Sequence, residues 1–600
     1  MQFIMKNPFV VKTPESLEPQ EIADLFIDVF SDFPKIKDVG HTFIHGPRGT
    51  GKSMMLKYLE PSVQLCAGKV EKIEELDFLA VHIPFKVAAL NIRETDRLRG
   101  DSHIYMSEHL MVLHIASILL SLLSKLYDKE KNHTGEVQDI YKKFSKLITT
   151  SGASISKKSE QSFLSMAECC DEEKKKAIQY LKHLAFIKDE VPYTGSLCGY
   201  VDFFQPLAKE IKELPFTPNC PIYLMLDDAD NSSETMQKIL NTWVSCRTTQ
   251  YLCIKISTQL RYKTYRTLSG QLIEAPHDYS DVDISTLYTS DKEHYQSRIR
   301  SIVGKRLSVA GIKTTPEEYF SVDEKQEKKI NIFKEKLKKE WGNGKGRGYR
   351  ASDDVVRYAV PDYMKSLGKS SSTYSYAGFK NIVDISSGVI RFFLEPAAQM
   401  YAETKAQQNE DAYVSSIPCS IQDSVIKQWS SDFILSEFEK LKKDVNTNGV
   451  TTGVTTSASH SEDTNIVSKL FSLINGLGKL FRELVLSNGS QRRIFSISVR
   501  GEMDETLQRI FELGVEWGYF HKSVGPSKEG SGRRYTFVLS RRLAPYFKLD
   551  ISSYAGEISV TTADLNLACE DYERFVRERM KKITKELSDA QIDIFQTNIG

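Results

Sequence analysis

Eight consecutive residues, Gly46-Pro47-Arg48-Gly49-Thr50-Gly51-Lys52-Ser53, follow an apolar strand-like run, precede an apolar-periodic helical run, and match the spacing G-x-x-x-x-G-K-[ST]. Glycines let a backbone wrap an anion with its N–H groups pointing inward, and a helix starting at the end of the loop adds the positive pole of its dipole. In such a loop Lys52 reaches the β- and γ-phosphates and the Ser53 hydroxyl ligates Mg²⁺. The chemistry expected is therefore binding of ATP with Mg²⁺.

A second group stands far downstream in CPIYLMLDDAD, where Asp227 and Asp228 end an apolar strand. Open parallel sheets present such strand ends to a ligand. Asp227 is the expected Mg²⁺ partner, directly or one shell out, and Asp228 the group that orients or polarises an attacking water. Asp230 reads as the cap of a helix starting near Ser232. The run YLCIKIS, residues 251–257, places Ser257 and Thr258 at its end, where one of them can sense a γ-phosphate or the two can simply form a turn. Arg391, after Ser387-Gly388-Val389-Ile390, starts an apolar helix; it either reaches the phosphates from a lid or makes a surface ion pair. Arg247, Arg261 and Arg266 flank the 251–257 strand as candidates for stabilising charge across a subunit interface, and the sequence does not choose among them.

The elements that must position these groups alternate as strand and helix, the pattern of a parallel α/β sheet covered on both faces: a P-loop NTPase fold. Strands are expected at 41–45, 79–84, 222–226, 251–257 and near 282–287. The ATPase core takes residues 1–290, with a helical insertion at 88–215; a helical lid domain takes 291–444. The Thr-, Ser- and Gly-rich stretch 445–465 reads as a mobile linker. Helical periodicity at 466–484 and 504–518, then strands at 519–524 and 533–539 around a glycine-rich tip, suggests a winged helix-turn-helix over 466–550, followed by a helical segment at 551–600. Lys522, Lys528, Arg533 and Arg534, with Arg541 and Arg542 behind them, suit a wing lying along a double-stranded DNA backbone. Winged helices also dock proteins, so both partners stay open. Trp517, Tyr519, Phe520, Tyr535 and Phe537 are better explained as core than as base-stacking groups.

With 80 basic and 79 acidic residues the net charge of +1 gives no global drive toward nucleic acid or membrane, so any nucleic-acid surface must be local. The lysine-rich run 324–350 reads as a solvated helix and flexible loop, or as a contact for an anionic polymer. Nine scattered cysteines without a C-x-x-C pair argue against a cysteine metal site and fit a reducing cytoplasm. The apolar stretch at 111–126 is broken by His114, serines and Lys125, and is expected to be a buried helix, not a membrane span.

Taken together, the phosphate loop, LMLDDAD, IKISTQL followed by APHDY at 275–279, SSGVIR and the wing resemble bacterial AAA+ ATPases of the type related to origin-recognition and replication-initiator proteins, a group bordering the STAND signalling ATPases. The resemblance runs from Asn7-Pro8-Phe9 to the wing and leaves out the 88–215 insertion and the final helix. It implies Walker A at Gly46 to Ser53, Walker B at Asp227 and Asp228, the first sensor at Ser257 or Thr258, and the second at Arg391. Two departures matter: Asp228 stands where hydrolytic members more often carry Glu, and the first sensor lacks the usual Asn. Both shorten the reach toward water and favour slow turnover. The expected function is an ATP-binding, slowly hydrolysing switch, homo-oligomeric, acting on DNA or a protein partner through the winged helix. The alternative is a STAND-like sensor that oligomerises on ATP and works with a separate effector protein in bacterial antiviral defence. A third reading is a scaffold that holds nucleotide without turnover.

Overall fold

A computed structural model describes residues 7–28, 33–127, 134–154, 160–184, 186, 192–246, 249–259, 262–284, 292–340, 351–368, 373–408, 413–451, 457–487, 493–526, 533–551 and 556–597. Two compact units emerge: Lys12–Lys305, and Met1–Val11 together with Arg306–Gly600.

The first unit is built on five strands, β1 (Thr42–His45), β2 (Leu79–Pro84), β3 (Ile222–Asp227), β4 (Leu252–Thr258) and β5 (Ser280–Asp283). All pair in parallel in the order β2-β3-β4-β1-β5. Strands buried on both faces must be apolar throughout, and β3 and β4 are buried at every position. Strand β5, expected near 282–287, begins two residues earlier, and 285–291 lie outside the described residues. The order puts β4 between the loop-bearing β1 and the acid-bearing β3, so the ends of all three converge.

Helix α1 (Lys52–Tyr58) starts inside the glycine loop. The insertion is helical as expected, with α2 (Ser102–Tyr127) and α3 (Phe163–Leu184) its longest members. Helix α2 is long and apolar enough to cross a membrane, but most of it is buried in the hydrophobic core beside β2 and β3. Two buried histidines fasten this unit. His41 Nδ1 accepts the Ile254 N–H at 3.0 Å, and His109 Nδ1 accepts the Cys198 N–H at 2.9 Å.

Burial pushes both imidazoles down to about 4 from an ordinary 6.5. Their folded pKa lies below the unfolded one, so the stabilisation is complete above pH 6.5 and is lost as pH falls through 4. Each contributes on the order of 3 kcal/mol at the acid limit, at about 1.4 kcal/mol per pKa unit. The urea midpoint is expected to drop steadily from pH 7 to 4.5; a flat midpoint over that interval contradicts the assignment.

The second unit joins helices to a four-stranded sheet. Its helices include α6 (Phe379–Ile385), α7 (Ile390–Ala406), α8 (Cys419–Thr451) and α9 (Ser457–Leu486); α5 (Lys292–Val309) is split by the boundary between units. The expected linker at 445–465 differs from what is seen. Helix α8 continues to Thr451, α9 begins at Ser457, and only 452–456 lie outside the described residues. The sheet runs β7 (Phe520–Pro526), β8 (Arg533–Leu539), β6 (Ile494–Arg500), β9 (Gly556–Thr561), with β6 and β9 parallel and the β7–β8 hairpin antiparallel. The sequence reading found the hairpin and missed β6 and β9, although IFSISVR and GEISVT both carry the period-two alternation of a strand. One helix, α10 (Glu505–Glu516), lies between β6 and β7.

Within this unit the segments before and after α8 and α9 pack together. The Tyr376 hydroxyl donates to the Leu549 carbonyl at 3.0 Å, and Ser387 Oγ accepts the Arg541 N–H at 2.9 Å. Arg541 and Arg542, expected behind a basic wing, are instead interior residues, 1% and 5% exposed. The Arg542 guanidinium lies 3.9 Å from the Trp429 ring centre and 4.0 Å from that of Phe433, with Glu437 at 3.0 Å; Arg541 covers Phe495 at 5.0 Å. Aromatic faces and a carboxylate offset the cost of burying these cations, which places them in the core and not on a DNA-facing surface.

Candidate functional site at the strand ends

The glycine loop owes its path to Gly49 and Gly51, whose φ angles of 91° and 98° are the left-handed values that favour glycine. Between them Thr50 folds back, its hydroxyl donating to the Pro47 carbonyl at 3.0 Å. Lys52 is 5% exposed and donates to the carbonyls of Gly46 at 2.7 Å and Pro47 at 3.1 Å. Burial pushes its pKa down, and Asp228, Asp227 and Asp230 push back. Lysine and acids thus face one another, although 175 residues separate Lys52 from Asp227 in the chain.

Asp227 ends β3 and is 3% exposed. Its carboxylate accepts from the Ser257 hydroxyl and, at 3.1 Å, from the Asp228 N–H; the other oxygen lies 3.2 Å from His82 Nε2 on β2. Burial alone would raise its pKa, but His82, Ser257 and Ser53 outweigh it and hold the acid below the usual carboxylate range. Ser53 and Asp227 therefore supply a hydroxyl and an ionised carboxylate together, the hard oxygen donors that suit Mg²⁺. Among the described residues, Glu15, His82 and Asp227 also bring ligand atoms within 4.8 Å of one another.

Asp228 adopts the left-handed conformation, φ 54° and ψ 41°, which Asp tolerates better than most side chains. Its N–H is shared with Ser257 Oγ at 3.0 Å, and its carboxylate accepts from Gln259 Nε2 at 3.2 Å. This leaves the acid half-buried, next to the loop lysine. Asp230 corrects a sequence expectation. Ser233, not Asp230, caps helix α4 (Glu234–Val244), accepting the Met236 N–H at 3.3 Å, while Asp230 accepts the Gln259 N–H at 3.2 Å. Burial raises the Asp230 pKa.

Ser257 and Thr258 part company. Ser257 joins the two acids, whereas Thr258 turns to β1, with its hydroxyl 2.7 Å from His45 Nδ1; His45 Nε2 in turn meets Asp281 at 2.9 Å. Arg391 is the second residue of α7, in the other compact unit from the loop, and pairs with Glu395 at 3.8 Å. Of the arginines flanking β4, Arg247 and Arg261 lie outside the described residues, and Arg266 donates to the Gly270 carbonyl at 2.9 Å. On the hairpin, Lys522 is exposed over the Tyr535 ring at 4.8 Å, Arg533 and Arg534 open β8, and Lys528 lies outside the described residues.

Sequence reasoning missed His82, Gln259 and His45. One signal was available: a histidine inside the otherwise apolar strand LAVHIP has to find a polar partner when buried. The comparisons then bear on what this site is for. The family model described as ORC-CDC6-like matches residues 7–560. Comparison with curated proteins yields no match.

Proposed function

Since the chain belongs to the ORC-CDC6-like family, we propose that it is an AAA+-like switch that binds ATP with Mg²⁺ and hydrolyses it slowly. The observation that carries the reading is the meeting of Lys52, Ser53, Asp227 and Asp228 at the ends of β1 and β3. Lys52 exchanges its Gly46 and Pro47 carbonyls for phosphate oxygens, a trade of neutral for anionic acceptors. Ser53 and Asp227 would hold Mg²⁺, which when bound neutralises phosphate charge. Asp228, fixed by Gln259, orients water, and its short side chain favours slow turnover. Ser257 ties the acids together and would report γ-phosphate to them; Arg391 would answer from the lid.

The C-terminal module, read as a winged helix, is the output, working on duplex DNA or a protein partner in a homo-oligomer. The test is ATP titration followed by duplex binding across a salt series. For the DNA output, reversing the charges at Arg533 and Arg534 is expected to lower the slope of log affinity against log salt by about 2. ATP-driven oligomerisation indifferent to duplex would instead favour the sensor that recruits a separate effector, and failure to bind ATP would defeat both.

A further inference from the structure

The carbonyl groups of the glycine loop are occupied in a way that motif spacing does not require. Pro47 and Gly46 receive Lys52, Pro47 also receives the Thr50 hydroxyl, and the Thr50 carbonyl receives Arg298 Nη2 at 3.1 Å. Arg298 comes from α5, 248 residues away in the chain, and is 3% exposed. Among the described residues, the N–H groups of Arg48, Gly49, Thr50 and Gly51 form no hydrogen bond. Burying a guanidinium is expensive, and burial pushes this one down to about 9. Such a group persists where its hydrogen bonds fix something that a neutral side chain would leave loose.

We propose that Arg298 is a positioning residue for the phosphate loop: by holding the Thr50 carbonyl it keeps the peptide units flanked by Gly49 and Gly51 set for a polyphosphate before one arrives. Glycines at positive φ make this stretch of backbone soft, so an unanchored loop can rotate its peptides and present carbonyl oxygens, which repel phosphate. Lys52 cannot serve as the permanent anchor, because it leaves its carbonyls when phosphate enters. Arg298 acts from outside the phosphate site and can stay in place through that exchange. The gain is preorganisation, a binding cost met during folding. The idea rests on the nucleotide-binding reading above and deepens it.

The test uses the full chain with Arg298→Met, which keeps length and apolar bulk, and Arg298→Lys, which keeps a charged donor. Two quantities are read: ATP affinity by calorimetry, and ligand-free amide hydrogen exchange at residues 48–51 relative to strands β2 and β3. Arg298→Met should weaken ATP roughly tenfold or more, the effect of losing a hydrogen bond to a charged group. It should also speed exchange at 48–51 and leave the strands alone, and Arg298→Lys should fall between it and the wild type. Wild-type ATP affinity in the Met variant overturns the proposal, as does faster exchange spread evenly over the strands. If the wild type itself binds no ATP, the functional reading fails, and the exchange comparison still decides whether Arg298 orders the loop.

Discussion

Lys52→Ala is expected to lower ATP affinity about thirtyfold, and the size follows from what surrounds the ammonium. At 4 Å from a phosphate oxygen it gains about 4 kcal/mol at an effective dielectric near 20, against about 1 in water. Leaving the Gly46 and Pro47 carbonyls takes back part of this, on the order of 1 kcal/mol for each hydrogen bond to a neutral acceptor. A net near 2 kcal/mol corresponds to roughly thirtyfold. Titration with a fluorescent ATP analogue measures it, with Lys57→Ala on the same helix as the charge control. Unchanged affinity in the Lys52 variant would falsify the phosphate site.

Asp228→Asn separates binding from turnover. Asn tolerates the left-handed backbone at this position nearly as well as Asp and keeps an oxygen for Gln259, so the fold and ATP affinity should stay close to wild type. What it loses is the charge that draws a proton from water, a contribution of about 10² to 10⁴ in rate. Phosphate release at saturating ATP is expected to fall at least a hundredfold. A variant with wild-type release would take Asp228 out of the mechanism and leave water orientation to another polar group at the strand ends. Asp227→Asn is the poorer probe, because it also disturbs the buried hydrogen bonds to Ser257 and His82.

What could be read in the linear chain was local. The loop from Gly46 to Ser53 is contiguous, and its chemistry is written in residue type and spacing. The two acids follow an apolar strand that has to be buried. The helical insertion and the 520–539 hairpin likewise follow from periodicity and glycine placement. None of these needs knowledge of a distant partner.

The rest depended on register and packing. Parallel pairing of β1 with β4 sets His45 opposite Thr258 and Ile44 opposite Ser257, which is how two neighbouring hydroxyls come to serve different partners. His82 reaches Asp227 because β2 and β3 are adjacent, and Arg298 reaches Thr50 from a helix that follows the whole sheet. Arg541 and Arg542 show the limit most clearly. Side by side behind a basic hairpin they suggest an anion-binding surface, yet Phe495, Trp429, Phe433 and Glu437, scattered along the chain, close around them. The sequence alone determined the glycine loop leading into a helix and the strand that carries the acids, since both arise from short-range spacing. Tertiary structure alone decided which polar side chains serve that site and which charges are buried, because a guanidinium or an imidazole takes its role from groups that only folding brings within a few ångströms.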